Sequence, residues 1–168
     1  MKNLILFITA VLFYSTTFSQ SQEVKEIVTK ATATIRVNQP EHMDPVTIGA
    51  AIVDSDKEDE KIVVLKTKIM PGYHIYAYVP SGTAYITSEV GVDLPKDIEL
   101  VGDWGKSSPE PYPGKQNILV YKNENTFYHS IKINPSRKGT KITCWLYYQC
   151  CDANICFPPQ KKEVELTL

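Results

Sequence analysis

Three of the four cysteines in this 168-residue chain, Cys150, Cys151 and Cys156, fall within residues 147–159. The fourth, Cys144, lies just upstream in what reads as the strand leading into that loop. Cys151 and Cys156 enclose four residues and Cys150 and Cys156 enclose five, so either pairing closes a small ring. A cross-link over so short a loop restricts the unfolded chain far less than one spanning about 100 residues. A disulfide that adds modest stability yet lies in a loop is suited to exchange, in which a thiolate attacks a reachable sulfur and passes through a mixed disulfide. The same spacing also serves as a structural clip on a β-hairpin, and spacing alone leaves both uses open. Four cysteines allow three complete pairings. The adjacent Cys150 and Cys151 pair poorly with each other, so one of them is expected to stay free.

Metal chemistry fits less well. Structural zinc sites draw C-x₂₋₄-C pairs from two separate knuckles, and only one knuckle exists here. His42, His74 and His129 are scattered without paired spacing. No metal and no cofactor are expected.

The elements that must hold the cysteine loop read as β-structure. β-branched and aromatic residues dominate residues 46–53, 62–69, 73–78, 83–87, 98–101, 118–121, 127–133, 140–149 and 162–168, with turn residues recurring between them. Residues 54–61 are too charged to bury, and residues 92–96 read as a connection. Residues 102–114 read as a loop stiffened by Pro109, Pro111 and Pro113, which keep the backbone extended and remove its ladder donors. The segment Val24 to Ile35 fits either a short helix or an added strand. Eight or nine short strands without helical periodicity after residue 45 predict an all-β, immunoglobulin-like antiparallel β-sandwich. The Cys…Trp…Cys spacing of an antibody domain is absent, since Trp145 adjoins Cys144.

The first residues read differently. Lys2, an apolar run over residues 4–14 and the small or polar residues 15–19 form a secretory signal peptide with cleavage near Ser19. The run is shorter than the roughly 20 residues that span a bilayer, so no membrane insertion is expected after cleavage. The expected organisation is a signal peptide over 1–19, an N-terminal extension over 20–45 and a β-sandwich domain over 46–168. Cleavage removes Lys2 and no acidic residue, leaving 17 basic and 19 acidic residues and a net charge of −2. That balance argues against a nucleic-acid partner. An exported chain meets an oxidising compartment that permits disulfides.

Tyr148-Gln149-x-Cys151, followed by Asp152, Cys156 and Pro158-Pro159, resembles the signature of the N-terminal periplasmic domain of DsbD-type thiol:disulfide interchange proteins. Gly72-Tyr73-His74-Ile75-Tyr76 is similar to that family's Gly-Tyr-x-x-Tyr segment, and Pro111-Tyr112-Pro113-Gly114-Lys115 to its cap loop ending in Gly-Lys. The resemblance covers roughly residues 46–168. It implies an immunoglobulin-like fold carrying a redox-active cysteine hairpin, and Cys151 with Cys156 as the redox pair. Cys156 would form the mixed disulfides, and Cys150 is the alternative partner on spacing. The resemblance further implies Tyr112 as an aromatic cap over the bond, Glu110 near the acidic cap position, and His74 and Tyr76 near two site tyrosines, with His74 replacing one of them. Without the resemblance, His74 reads as a solvent-facing strand residue, Glu110 as a solvated loop charge and Tyr76 as an ordinary sheet residue.

The function expected from the resemblance is an exported, periplasmic thiol–disulfide exchange module. It would pass electrons between thioredoxin-like proteins and a membrane electron-transfer protein, acting as a protein-disulfide reductase partner. The full family protein continues into membrane and thioredoxin-like domains, so another protein is expected to supply the electrons. The competing expectation is a non-catalytic immunoglobulin-like binding module whose disulfide is structural.

Overall fold

The computed structural model describes residues 19–168. The signal peptide assigned to residues 1–19 lies, apart from Ser19, outside the described residues. In chain order the elements are α1 (Ser19–Thr34), β1 (Val46–Asp54), β2 (Glu60–Ile69), β3 (His74–Tyr78), β4 (Glu89–Asp93), β5 (Glu99–Lys106), β6 (Glu110–Tyr112), β7 (Lys115–Tyr121), β8 (Glu124–Lys132), β9 (Lys141–Tyr148), β10 (Cys150–Cys151) and β11 (Gln160–Thr167). A short 3₁₀ turn, Pro135–Arg137, joins β8 to β9.

The strands form three sheets, ordered β1-β2-β8-β5, β11-β9-β4 and β10-β3-β7-β6, with every strand pair antiparallel. The first two reproduce the ABED and GFC sheets of an immunoglobulin constant-type sandwich. The main core lies between them, with Val63, Leu65, Phe127 and Ile131 of the first sheet against Ile142, Cys144, Leu146 and Tyr148 of β9. The third sheet is assembled from the connections of that sandwich. Its β3 follows the second framework strand, β6 and β7 lie between β5 and β8, and β10 lies between β9 and β11.

The segment 19–34 is a helix because its apolar residues recur at helical spacing. Val24, Ile27, Val28 and Ala31 share one face and pack with Ile35 on Ile62 and Val64 of β2. This explains why Ile62-Val63-Val64-Leu65 is fully buried without alternation. Val63 and Leu65 face the main core, and Ile62 and Val64 face the helix. The extension over 20–45 is therefore packed onto the sandwich.

Four sequence expectations are corrected. Residues 83–87 form no strand, and only Thr87 makes an isolated bridge, to Tyr76. Val92 and Asp93, read as part of a connection, belong to β4, which pairs with β9. Gly91 interrupts the apolar pattern there because the Trp145 ring occupies the space a Cβ would need, at 2.2 Å. The supposed loop 102–114 contains the end of β5 and all of β6, an edge strand paired with β7 on one side. Pro111 is tolerated there because an edge strand can spare ladder donors. The number of strands is eleven among the described residues rather than eight or nine.

Val28→Ala should lower unfolding stability by about 1–3 kcal/mol, through lost burial and incomplete collapse of the helix–sheet seam. Urea denaturation checks this, and the reactivity of the distant cysteine hairpin should be unchanged.

Candidate redox site

The third sheet ends in the cysteine hairpin. Cys150 pairs with Ile75 and Cys151 with His74 across β10 and β3. Successive residues of a strand point to opposite faces, and the two thiols separate accordingly. Cys150 joins Ile75 in the main core, whereas Cys151 joins Tyr76, Ile118 and Val120 in a separate cluster on the other face. The hairpin then returns so that Cys156 lies opposite Cys151, and these two form a disulfide with a Cα–Cα distance of 4.0 Å. Cys144 and Cys150 are free and buried.

Local chemistry closes the hairpin. Asp152 Oδ1 accepts hydrogen bonds from the backbone N–H groups of Asn154 (2.7 Å) and Ile155 (2.8 Å), an Asx-type turn. These donors hold the Asp152 carboxyl below its usual range. The Phe157 N–H donates to the Cys150 carbonyl at 2.8 Å and fixes the return strand. The two sulfurs meet different surroundings. Cys151 is 1% exposed, while Cys156 is an exposed residue.

Aromatic side chains cover the buried sulfur. The Tyr76 hydroxyl donates to Cys151 Sγ at 3.4 Å. Burial, then the neighbouring Tyr85 and Tyr112 hydroxyls, push the Tyr76 hydroxyl above its ordinary range, so it stays protonated and able to donate. Tyr85 stacks on Tyr76 at 4.7 Å, and the His74 ring meets Tyr76 at 5.1 Å and Tyr112 at 4.9 Å. Tyr112, on the β6 edge, is half-buried against the Cys151 cluster. The Lys115 ammonium lies over the Tyr85 and Tyr112 rings at 4.7 and 5.7 Å and donates to the Tyr85 hydroxyl at 2.9 Å. It thereby links the two sides of the cover. The Gln149 side-chain carbonyl accepts from the Ile86 N–H at 3.2 Å and anchors the loop carrying Tyr85 to the strand that enters the hairpin.

The structure brings Cys151, Cys156, Tyr76, His74 and Tyr112 together. His74 is 5% exposed, contrary to the solvent-facing position read from its strand alone. It shares a face with Tyr76 and Cys151, and that face is covered by β6 and the 80–88 loop. Burial, then the Lys122 charge, lower its pKa, with Asp152 opposing. Glu110 is exposed on β6 and pairs with Lys122 at 3.4 Å. Tyr85 and Gln149 had no role assigned from the sequence, and Lys115 appeared only as the end of a loop motif. Tyr85 carries no local signal, because its stacking partner lies in a different element. Among the described residues no group of three His, Cys, Asp or Glu is placed to hold a metal ion, and no helix is long and apolar enough to cross a membrane.

An immunoglobulin-type sandwich that carries an accessory sheet, with a disulfide hairpin under an aromatic cover, defines the class of domain. The family model described as "Thiol:disulfide interchange protein DsbD, N-terminal" matches residues 39–168, and the chain belongs to this family. The chain is 28% identical over 125 residues to a protein of Tatumella citrea named thiol:disulfide interchange protein DsbD, a match covering 73% of this chain and 19% of that protein. The chain thus spans about a fifth of that relative's length. Among solved structures, it is similar to the reduced DsbD N-terminal domain of Neisseria meningitidis, with 19% identity, a TM-score of 0.44 and coverage of 70% of this chain and 82% of that one. It is also similar to a GAE domain of GGA2p from Saccharomyces cerevisiae, with 8% identity, a TM-score of 0.46 and coverage of 80% and 97%.

Burial pushes the Cys144 and Cys150 thiols up to about 12, so both stay protonated at neutral pH. Iodoacetamide at pH 8 should label neither in the native oxidised protein, should label two thiols after unfolding, and four after unfolding with reduction. Peptide mapping that found Cys150 joined to Cys156 would contradict this arrangement.

Proposed function

We propose that the chain is an exported thiol–disulfide exchange module that passes electrons through Cys151 and Cys156 to or from thioredoxin-like and membrane electron-transfer proteins. One observation carries the reading. The disulfide joins a sealed sulfur to an exposed residue, so only the Cys156 side is open to a partner. A partner thiolate attacks Cys156 Sγ, forms the mixed disulfide there and releases Cys151 beneath the cover. Tyr112 acts as the cap, with Tyr76 and His74 supporting the buried sulfur and Glu110 at the rim through its pair with Lys122. The leader is read as residues 1–19 and the exported unit as residues 20–168, with α1 part of it, in a periplasmic or equivalent oxidising compartment. Family membership supports exchange in general, and the choice of partners belongs to this proposal.

Cysteine variants test the exchange step. Cys156→Ala should abolish exchange with a thioredoxin-like protein. Cys151→Ala should instead trap that protein as a mixed disulfide on Cys156, seen as a reducible adduct by mass spectrometry. Trapping by Cys150→Ala, with Cys151→Ala behaving normally, would assign the chemistry to the other thiol. Neither variant forming an adduct would leave the disulfide as a structural clip.

The cap has its own test. Tyr112→Ala should keep the fold and speed reduction of the native disulfide by a small phosphine about tenfold, the loss of ~1.4 kcal/mol of protecting contact. An unchanged rate would remove the shielding role from Tyr112.

A further inference from the structure

The cysteine hairpin and the β6 cap edge border a second feature. A surface cleft of about 260 Å³ opens beside the disulfide, lined in part by His74, Tyr112, Lys122 and Asp152. The imidazole of His74 forms one wall, yet its Nε2 is buried and has no hydrogen-bond partner. A buried polar atom without a partner is uncommon and asks for an explanation. His74 lies directly across the β10–β3 pair from Cys151, and side chains of such opposed residues are neighbours on one face. In the oxidised state Cys151 Sγ is bonded to Cys156 and has no charge to satisfy. When that bond opens, an electron pair arrives on Cys151 Sγ, next to the orphaned ring and out of reach of bulk water.

We propose that His74 is the proton relay for this disulfide, giving a proton to the Cys151 sulfur released on reduction and recovering it from water in the adjoining cleft. The inference rests on the exchange reading above and assigns its missing proton step. A reductant thiol first loses its proton to solvent. Its thiolate then forms a bond to Cys156 Sγ as the Cys151–Cys156 bond breaks, and the electron pair leaves on Cys151 Sγ. That sulfur takes the proton of the imidazolium form of His74, and the neutral ring left behind takes a proton from the cleft. The second thiolate of a dithiol reductant attacks its own bound sulfur and releases the Cys156 thiolate, which solvent protonates. The protein gains two electrons and two protons, and the reductant closes to its disulfide.

The groups facing His74 set the pH at which this matters. Tyr76 flanks it on its own strand, Tyr112 covers it from β6, Lys122 approaches from the end of β7, and Cys150, Cys151 and Asp152 approach from the hairpin. Glu110 pairs with Lys122. Burial and Lys122 disfavour the imidazolium, with Asp152 opposing, so His74 takes up its charge at a lower pH than an ordinary histidine. A thiolate forming opposite the charged ring takes its proton, so the relay acts most strongly on the acid side.

Dithiothreitol reduction of the oxidised chain from pH 5 to pH 8 reads this step, with His74→Phe and His74→Gln beside the wild type. Taking the ratio of wild type to variant at each pH removes the ionisation of dithiothreitol itself. The wild type should react about tenfold faster than H74F at the acid end of the range, about one charge-assisted hydrogen bond, and the ratio should fall toward one as pH rises. H74Q keeps an N–H but does not titrate, so its ratio to H74F should be above one and flat with pH. Urea midpoints identify any variant that misfolds, and H74Q against the wild type then carries the same pH comparison. A wild-type to variant ratio independent of pH would overturn the relay while leaving the exchange reading intact. A native wild-type disulfide that dithiothreitol does not reduce at any pH would overturn both.

Discussion

The alternation of side chains along β10 governs the rest of the site. Adjacent cysteines on an extended backbone cannot serve the same face, and the pairing of Cys150 with Ile75 and Cys151 with His74 settles which serves which. Cys150 becomes a small apolar core residue whose thiol burial pushes up to about 12. Cys151 enters a separate aromatic cluster and meets Cys156 across the hairpin. A slip of one residue in that register would exchange the two roles and place the disulfide in the main core. The same alternation puts His74 and Tyr76 beside Cys151, and Ile75 in the sandwich core.

The cover over Cys151 has the strength such a site needs. It is made of aromatic contacts worth roughly 0.5–1.5 kcal/mol each, an exposed cation–π contact of about 0.5–1 kcal/mol and an edge strand of three residues. On the exchange reading proposed above, a cover of that strength would exclude adventitious thiols and still yield to a docking surface. β6 is paired on one side and carries Pro111, so it cannot be locked into the sheet from both edges. The hairpin beneath is held more firmly, by Asp152 and by the Phe157-to-Cys150 hydrogen bond. Rigid cysteines under a loosely held cap suit a bond that should react only when a partner arrives.

The sandwich strands could be read from the sequence because each carries β-branched residues bounded by turns, as at residues 46–53 and 140–149. The helix could not be distinguished from a strand, because α1 is rich in Val, Ile and Thr, and only its packing on Ile62 and Val64 decides the matter. The strand β4 was hidden by Gly91, whose purpose lies in the Trp145 ring of a neighbouring strand. The site divides the same way. Cys151, Cys156, Tyr76, His74 and Tyr112 were reached through motifs, whereas Gln149 stood in one without a role and Tyr85 in none, because both act across elements far apart in sequence. No local pattern records that Tyr85 stacks on Tyr76, since residues 83–87 look like a strand and instead form a loop held by a side chain from residue 149.

The central claim is that Cys151–Cys156 is a working redox couple. Its reduction potential, measured by equilibration of the native chain against a thiol–disulfide buffer, tests that claim most directly. Structural disulfides typically lie below about −300 mV. A value well above that limit, in the range of proteins that exchange with thioredoxin-like partners, is the predicted result; a value below it would contradict the account and leave a clip on a β-hairpin.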